Sequence, residues 1–276
     1  MELSRAVCDL RDAQATAAAI ASARPDVVYH LAARSHVGES WRDPAGTLHD
    51  NVAMTLNVLE ALRTAAPEAV LVAVASGEVY GSPKQLPVDE SAPLRPQNPY
   101  AVSKAAADLL AGMYADAHRL RVIRVRAFNH AGPGQRPTYA ISSFARQAAQ
   151  GATRIVTGNP DTRRDYTDVR DVVRAYRLLA ERGEPGVYNV CSGRTASTAE
   201  IVRMLGVEHV VDPGLLRPHE VMELRGSYDA LRAATGWEPE IPLDQTVRDT
   251  LTWWRDARAP ARTAGPRREP DRPRRS

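Results

Sequence analysis

The sequence predicts an α/β protein, a doubly wound parallel sheet followed by a smaller mixed lobe. Three observations predict it. Short apolar runs alternate with helical patterns between about residues 27 and 126. One run, Ala69-Val-Leu-Val-Ala-Val-Ala75, has no polar face, as expected of a strand covered by helices on both sides. After about residue 130 the alternation loosens into loops rich in Pro, Gly and Arg.

Val7 is expected in a strand at the start of the pattern, and Val27-Val-Tyr-His-Leu31 in the next. Residues 47–63 place Leu48, Val52, Leu56, Leu59 and Leu62 at helical spacing. An Ala-rich helix over 100–118 and a strand over 120–126 complete this half. Then come a helix over 141–150, a strand over Arg154–Thr157, a polar loop, a helix over 169–181 and a strand over Gly186–Val190. Ser197-Thr-Ala-Glu200 reads as a capping box opening a helix, and the last helix is expected over 243–254. There is no internal repeat.

Composition sets bounds. At 276 residues, 43% apolar and 25% charged, the chain is neither fibrous nor wholly disordered. No run approaches the ~18 apolar residues of a membrane span, and the opening residues lack the apolar core of a secretory leader. Two cysteines, Cys8 and Cys191, make no disulfide framework, so a cytoplasmic location is expected. The net charge of +3 belongs to the end of the chain. Residues 257–276 hold seven Arg against one Glu and one Asp, leaving the rest slightly acidic. That Pro- and Arg-rich tail is expected to be disordered, and no specific nucleic-acid role is expected of it.

Of 36 basic residues only two, Lys84 and Lys104, are lysine. A retained lysine marks a place where a compact ammonium does what a guanidinium fork does not. Lys104 closes Tyr100-Ala-Val-Ser-Lys104, and positions i and i+4 share a helix face. Chance predicts about 0.07 such pairs in this composition. A phenol with its ordinary pKa near ~10 is a weak acid–base group at neutral pH; a neighbouring ammonium is expected to lower that value. Twenty residues upstream, the apolar strand ends in Ala75-Ser-Gly-Glu-Val-Tyr-Gly81, which puts Ser76 at a carboxyl end, where ligands bind in such sheets.

These stretches, with Cys8-Asp-Leu-Arg-Asp12, Pro25-Asp-Val-Val-Tyr-His-Leu-Ala-Ala33, Asn51 and Asn98-Pro-Tyr, resemble the extended short-chain dehydrogenase/reductase family of nucleotide-sugar enzymes. The resemblance covers nearly all of residues 7–256. It implies a Rossmann-like fold, NADP or NAD as cofactor, and Ser76, Tyr100 and Lys104 as the catalytic set. It also implies Asp9, Leu10, Leu31, Ala32, Ala33, Asn51, Tyr100 and Lys104 along the cofactor, no metal, and pairing through helices into a homodimer or tetramer. The domains expected are a partial dinucleotide-binding domain over 1–130, a substrate lobe over 131–256 with segments returning to the sheet, and the tail.

The second half narrows the resemblance. Phe128-Asn-His-Ala-Gly-Pro-Gly-Gln135, Ser142-Ser-Phe-Ala-Arg146, Arg164-Asp-Tyr-Thr-Asp-Val-Arg-Asp171 and Arg217-Pro-His-Glu-Val221 look like GDP-6-deoxy-4-keto-D-mannose reductases. The related GDP-mannose 4,6-dehydratases usually have Glu-Ser-Pro after Phe-Asn-His, where this chain has Ala-Gly-Pro. Arg164 and Arg217 are candidates to clamp a GDP-sugar diphosphate, because guanidinium matches phosphate oxygens two at a time. Glu220 is a candidate for the ribose hydroxyls, and Asn129 for the sugar or phosphate near the catalytic set. Glu78 keeps the dehydratase alive, since that reaction needs a base and the dehydratases carry Glu at this position.

No G-x-x-G-x-x-G stands before Asp9. The family's first strand, Gly-rich turn and helix, about fifty residues, are therefore expected upstream of Met1, and the strand at Val27 is expected to show an open edge. Three functional readings result: reduction of a GDP-4-keto-6-deoxyhexose by NAD(P)H; GDP-mannose dehydration with Glu78 as base; and a non-catalytic sugar-nucleotide binder.

Overall fold

The computed structural model describes residues 7–216 and 220–257. The first half contains α1 (Ala13–Ala23), β1 (Val27–His30), α2 (Val37–Arg42), α3 (Pro44–Ala65), β2 (Val70–Val74), α4 (Pro99–His118), β3 (Arg121–Ala127) and β4 (Asn129–Ala131). The second half contains α5 (Ala140–Ala149), β5 (Arg154–Thr157), β6 (Arg163–Asp168), α6 (Val169–Arg182), β7 (Gly186–Val190) and β8 (Thr195–Ser197). It continues through α7 (Thr198–Met204), β9 (Glu208–Val211), β10 (Glu223–Leu224), α8 (Asp229–Thr235) and α9 (Leu243–Asp256).

The main sheet has the order β1-β2-β3-β7 and every pairing in it is parallel. The continuous apolar run is explained by what covers it. Val70 and Val72 join a core with Ile123, Val125, α6 and α8. The alternate residues Leu71 and Ala73 join a second core with Ile20, Leu59, Leu62, Ala111 and Tyr114 of α1, α3 and α4. Successive side chains point to opposite faces, so a strand walled by helices on both sides has no polar position. Each large residue fully buried there contributes about 1.5–3 kcal/mol.

Local chemistry sets the helix ends. Asp43 caps α3 by accepting from the Gly46 amide, with Pro44 at the first helical position. Asn98 does the same for α4 through the Ala101 amide, followed by Pro99. Ser197 and Glu200 make both halves of the capping box on α7. At Gly81 the backbone takes φ +64°, and a Cβ there would meet the Arg95 carbonyl oxygen at 2.0 Å, so only glycine fits.

Smaller sheets carry the second half. In one, β10-β6-β4 run parallel, with β8 antiparallel on β6; in the other, β5 pairs with β9. β7, α6 and α8 return to the main sheet, where Trp237 is wholly buried and donates its indole N–H to the Asp171 carbonyl at 3.0 Å.

Two expectations are corrected. Val7 lies in a turn, 70% exposed, and pairs with no strand among the described residues. The polar loop expected before residue 169 contains β6. Its arginines and aspartates hide the pattern, and its pairing with β4, β8 and β10 defines it. Among the described residues β1 is an edge strand, with Tyr29 and Leu31 exposed. No helix among them is long and apolar enough to cross a membrane. Both cysteines are buried and unpaired. The tail beyond residue 257 and Arg217 lie outside the described residues.

Candidate active site

The site forms where β1 and β2 end and α4 begins. After β2 the chain turns at Ser76, whose hydroxyl accepts from the Glu78 amide at 3.2 Å and opens a short 3-10 helix over Gly77–Tyr80. Tyr100 lies in the first turn of α4, near enough to Ser76 for its hydroxyl to act on the phenol. Glu78 is close enough to act on the phenol electrostatically, and it accepts from the Asn98 side chain at 3.2 Å. The residue that caps α4 thus also holds the carboxylate beside Tyr100.

Lys104 is one turn further along α4 and buried, with 6% exposure. It makes no hydrogen bond or contact ion pair with the described residues. Burial lowers its pKa to about 8, and Asp108, a turn beyond, works in the opposite direction. The electrostatics of Tyr100 correct the expectation from sequence. Burial pushes the phenol up to about 12, the Ser76 hydroxyl pulls it back in part, and Glu78 and Tyr139 push it further up. Lys104 is not among the groups that shift it. Spacing puts the two on one helix face, but here burial outweighs the ammonium.

Leu31, Ala32 and Ala33 form the loop leaving β1, the first two exposed. Asn51 ties that loop to α4. Its side chain accepts from the Arg34 amide at 2.7 Å and donates to the Arg34 carbonyl at 3.1 Å and to the Ser103 hydroxyl at 2.8 Å. Asp9 is gripped by the Arg11 guanidinium. The Leu10 carbonyl accepts from the Asn57 side chain at 2.9 Å. A buried ammonium without an acceptor, beside an exposed loop at a strand's carboxyl end, fits a cofactor that offers hydroxyl oxygens.

On the other side, Asn129 starts β4 and pairs in register with Tyr166 of β6. Arg164, expected to clamp a diphosphate, donates to the Val221 carbonyl at 2.7 Å and the Arg163 carbonyl at 2.9 Å. It anchors the segment that follows the undescribed 217–219. Glu220 is half-buried at the head of that segment.

Several residues around the site and on α5 escaped the sequence reading. Tyr139, before α5, acts on Tyr100 and bonds Ser35 at 2.7 Å, while His36 reaches the Thr138 carbonyl at 3.3 Å. These contacts bridge the β1 loop to the second half, and no spacing rule announces them. Arg146 of α5 has a buried Nε without a partner among the described residues; its motif was visible, but its unmet donor was not. Among the described residues no three His, Cys, Asp or Glu side chains are grouped to hold a metal.

The class that this arrangement defines is the NAD(P)-dependent epimerase/dehydratases of the extended short-chain dehydrogenase/reductase type. Within that class, the chain belongs to the family described as GDP-mannose 4,6 dehydratase, whose sequence profile matches residues 2–250. It is 42% identical over 244 residues to the GDP-6-deoxy-D-mannose reductase of Pseudomonas aeruginosa, covering 83% of this chain and 80% of that one. It is 28% identical over 284 residues to the GDP-mannose 4,6-dehydratase of Vibrio cholerae, covering 88% and 76%. The solved structure of RMD from Pseudomonas aeruginosa complexed with NADPH superposes with a TM-score of 0.84 and 39% identity, covering 91% of this chain and 88% of that one.

Proposed function

We propose that the protein reduces the C4 ketone of a GDP-4-keto-6-deoxyhexose. The observation that carries this is the Tyr100 phenol in the first turn of α4, keeping its proton, with the Ser76 hydroxyl at the carboxyl end of β2 acting on it. The 42% identity to a GDP-6-deoxy-D-mannose reductase supports it. Bound NADPH or NADH would supply the hydride, held by the 31–33 loop with Asn51, Tyr100 and Lys104. Ser76 orients the carbonyl oxygen through its hydroxyl. Tyr100 hands that oxygen its proton, and the Lys104 ammonium, one turn along the same helix, would donate to the cofactor's hydroxyl oxygens.

The test is incubation with GDP-4-keto-6-deoxymannose and NADPH, following cofactor oxidation by absorbance and product by chromatography. Product formed one for one with NADPH oxidised supports the reading; a folded protein that binds keto-sugar and NADPH and turns over neither overturns it. A second reading is favoured by Glu78, whose carboxylate acts on the Tyr100 phenol and would serve as the base that takes a C5 proton. With GDP-mannose as substrate, turnover without net cofactor consumption, abolished in Glu78→Gln, establishes the dehydratase instead. GDP binding without NADPH binding marks the non-catalytic binder.

The partner proposed, besides a GDP-sugar, is a second copy of this chain. Leu48 and Leu56 of α3 and Val102, Leu109 and Met113 of α4 are exposed on a helix pair that covers the sheet. Two such pairs would bury them as a four-helix bundle. A cytoplasmic location is supported by the two unpaired cysteines.

A further inference from the structure

The face of α4 that carries Tyr100 and Lys104 continues to Asp108. Three positions at i, i+4 and i+8 stack along one side of a helix. Asp108 is 2% exposed. A carboxylate so far from water needs partners. One of its oxygens has them: Oδ2 accepts from Arg126 at 2.9 and 3.3 Å, with Arg124 of the same strand 3.7 Å away. The other, Oδ1, is buried and has no hydrogen-bond partner among the described residues. A core salt bridge with nothing further to do would use both oxygens, since an unmet lone pair in a low-dielectric interior costs free energy. One turn away, Lys104 is a buried residue whose side chain makes no hydrogen bond or ion pair with the described residues either.

We propose that Asp108 is a positioning residue for the Tyr100–Lys104 pair, its half-engaged carboxylate supplying the countercharge of the buried Lys104 ammonium. The inference rests on the proposed reaction only for its consequence, a rate that depends on a charged Lys104.

The other groups around the two residues leave Asp108 without a rival. On Lys104 from β1 stands His30, neutral and bonded to Thr55 at 3.2 Å. Tyr100 carries no charge in the resting protein. On Asp108 from β3 stand Arg124 and Arg126, and Arg126 passes its other donors to the Tyr80 hydroxyl at 2.9 Å and the Glu90 carbonyl at 3.0 Å. Arg126 is thus shared, and it shields only one carboxylate oxygen. Among the described residues Asp108 is the sole anion acting on Lys104, and it favours the charged form against burial.

The composition offers a direct test. The chain has two lysines, so protein labelled with carbon-13 lysine gives two ε-carbon signals, with exposed Lys84 as the internal reference. In the wild type the Lys104 signal is expected to titrate near pH 8. In Asp108→Asn, which keeps shape and an acceptor for Arg126, the midpoint is expected to fall by about one unit. Should the single variant not fold, the double variant Asp108→Asn with Arg126→Gln removes both charges of the pair and leaves none stranded; its midpoint is also expected below wild type. Asp108→Glu, which keeps the charge, is expected to restore it. A fall of half a unit or more in the Asn variant supports the proposal, and a smaller change or a rise overturns it. The titration reads Lys104 without turnover, so failure of the proposed reaction leaves it intact. With an active enzyme, the alkaline limb of kcat moves down by the same amount in Asp108→Asn, while KM for the GDP-sugar holds.

Discussion

Tyr100 sits where its neutral form is favoured, and that state suits a reduction. A phenol at about 12 is loaded at every physiological pH and waits for the ketone oxygen to take its proton. Removing the hydroxyl leaves the ring in place and removes the donor. Tyr100→Phe is therefore expected to lower kcat by about 10²- to 10⁴-fold, with little change in GDP affinity measured by calorimetry; unchanged turnover takes Tyr100 out of the mechanism. Lys104 sets the other limit. With its midpoint near 8, it loses its charge as pH rises beyond that value, so kcat is expected to decline above about pH 8. The spacing of the two residues was readable because helical periodicity fixes which positions share a face. The direction of the phenol's shift was not, because it depends on how deeply the tertiary structure buries each group.

At the scale of elements, α4 begins at the candidate site. Asn98 satisfies the Ala101 amide and donates to Glu78, so one side chain fixes both the helix start and a carboxylate at the site. Asn98→Ala is expected to cost about 1 kcal/mol of stability through the lost cap, measured by denaturant unfolding, and to weaken kcat because Tyr100 lies two residues inside the helix. Asn98→Asp, which still caps but places a second acid beside Glu78, is expected to recover the stability and not the rate. Strands of the main sheet were legible as apolar runs. β6 was not, because three neighbouring strands define it rather than its own polar sequence.

Across the whole molecule, buried ionisable groups tie pH to the fold. His30, 5% exposed beneath the site, has its pKa lowered to about 3, chiefly by burial and further by Lys104. Its unfolded value is near 6.5, so the unfolded chain takes up the proton first. The stability that the neutral imidazole brings is complete above pH 6.5 and is lost as pH falls toward 3. Between pH 7 and pH 4 this amounts to about 3 kcal/mol. Unfolding curves at the two pH values are expected to show a correspondingly smaller drop for His30→Asn than for wild type. Asp165 opposes it. Wholly buried, it accepts from the amides of Ser192, Gly193 and Gly226 and the Ser192 hydroxyl, yet burial raises it to about 6, so its contribution falls as pH rises from 4 to 6.

By itself the sequence determined the α/β architecture, the place of Ser76 at a strand end and of Tyr100 and Lys104 on one helix face, and the family resemblance. Each rests on local order along the chain: an apolar run, an i,i+4 spacing, a residue at the end of a strand. Only the tertiary structure decided that Arg164 anchors backbone, that Tyr139 bonds Ser35 of the loop after β1, and that Asp108 stands behind Lys104 with one oxygen unmet. Those are matters of burial and of contacts between distant segments, and both depend on three-dimensional packing that no spacing in the chain records.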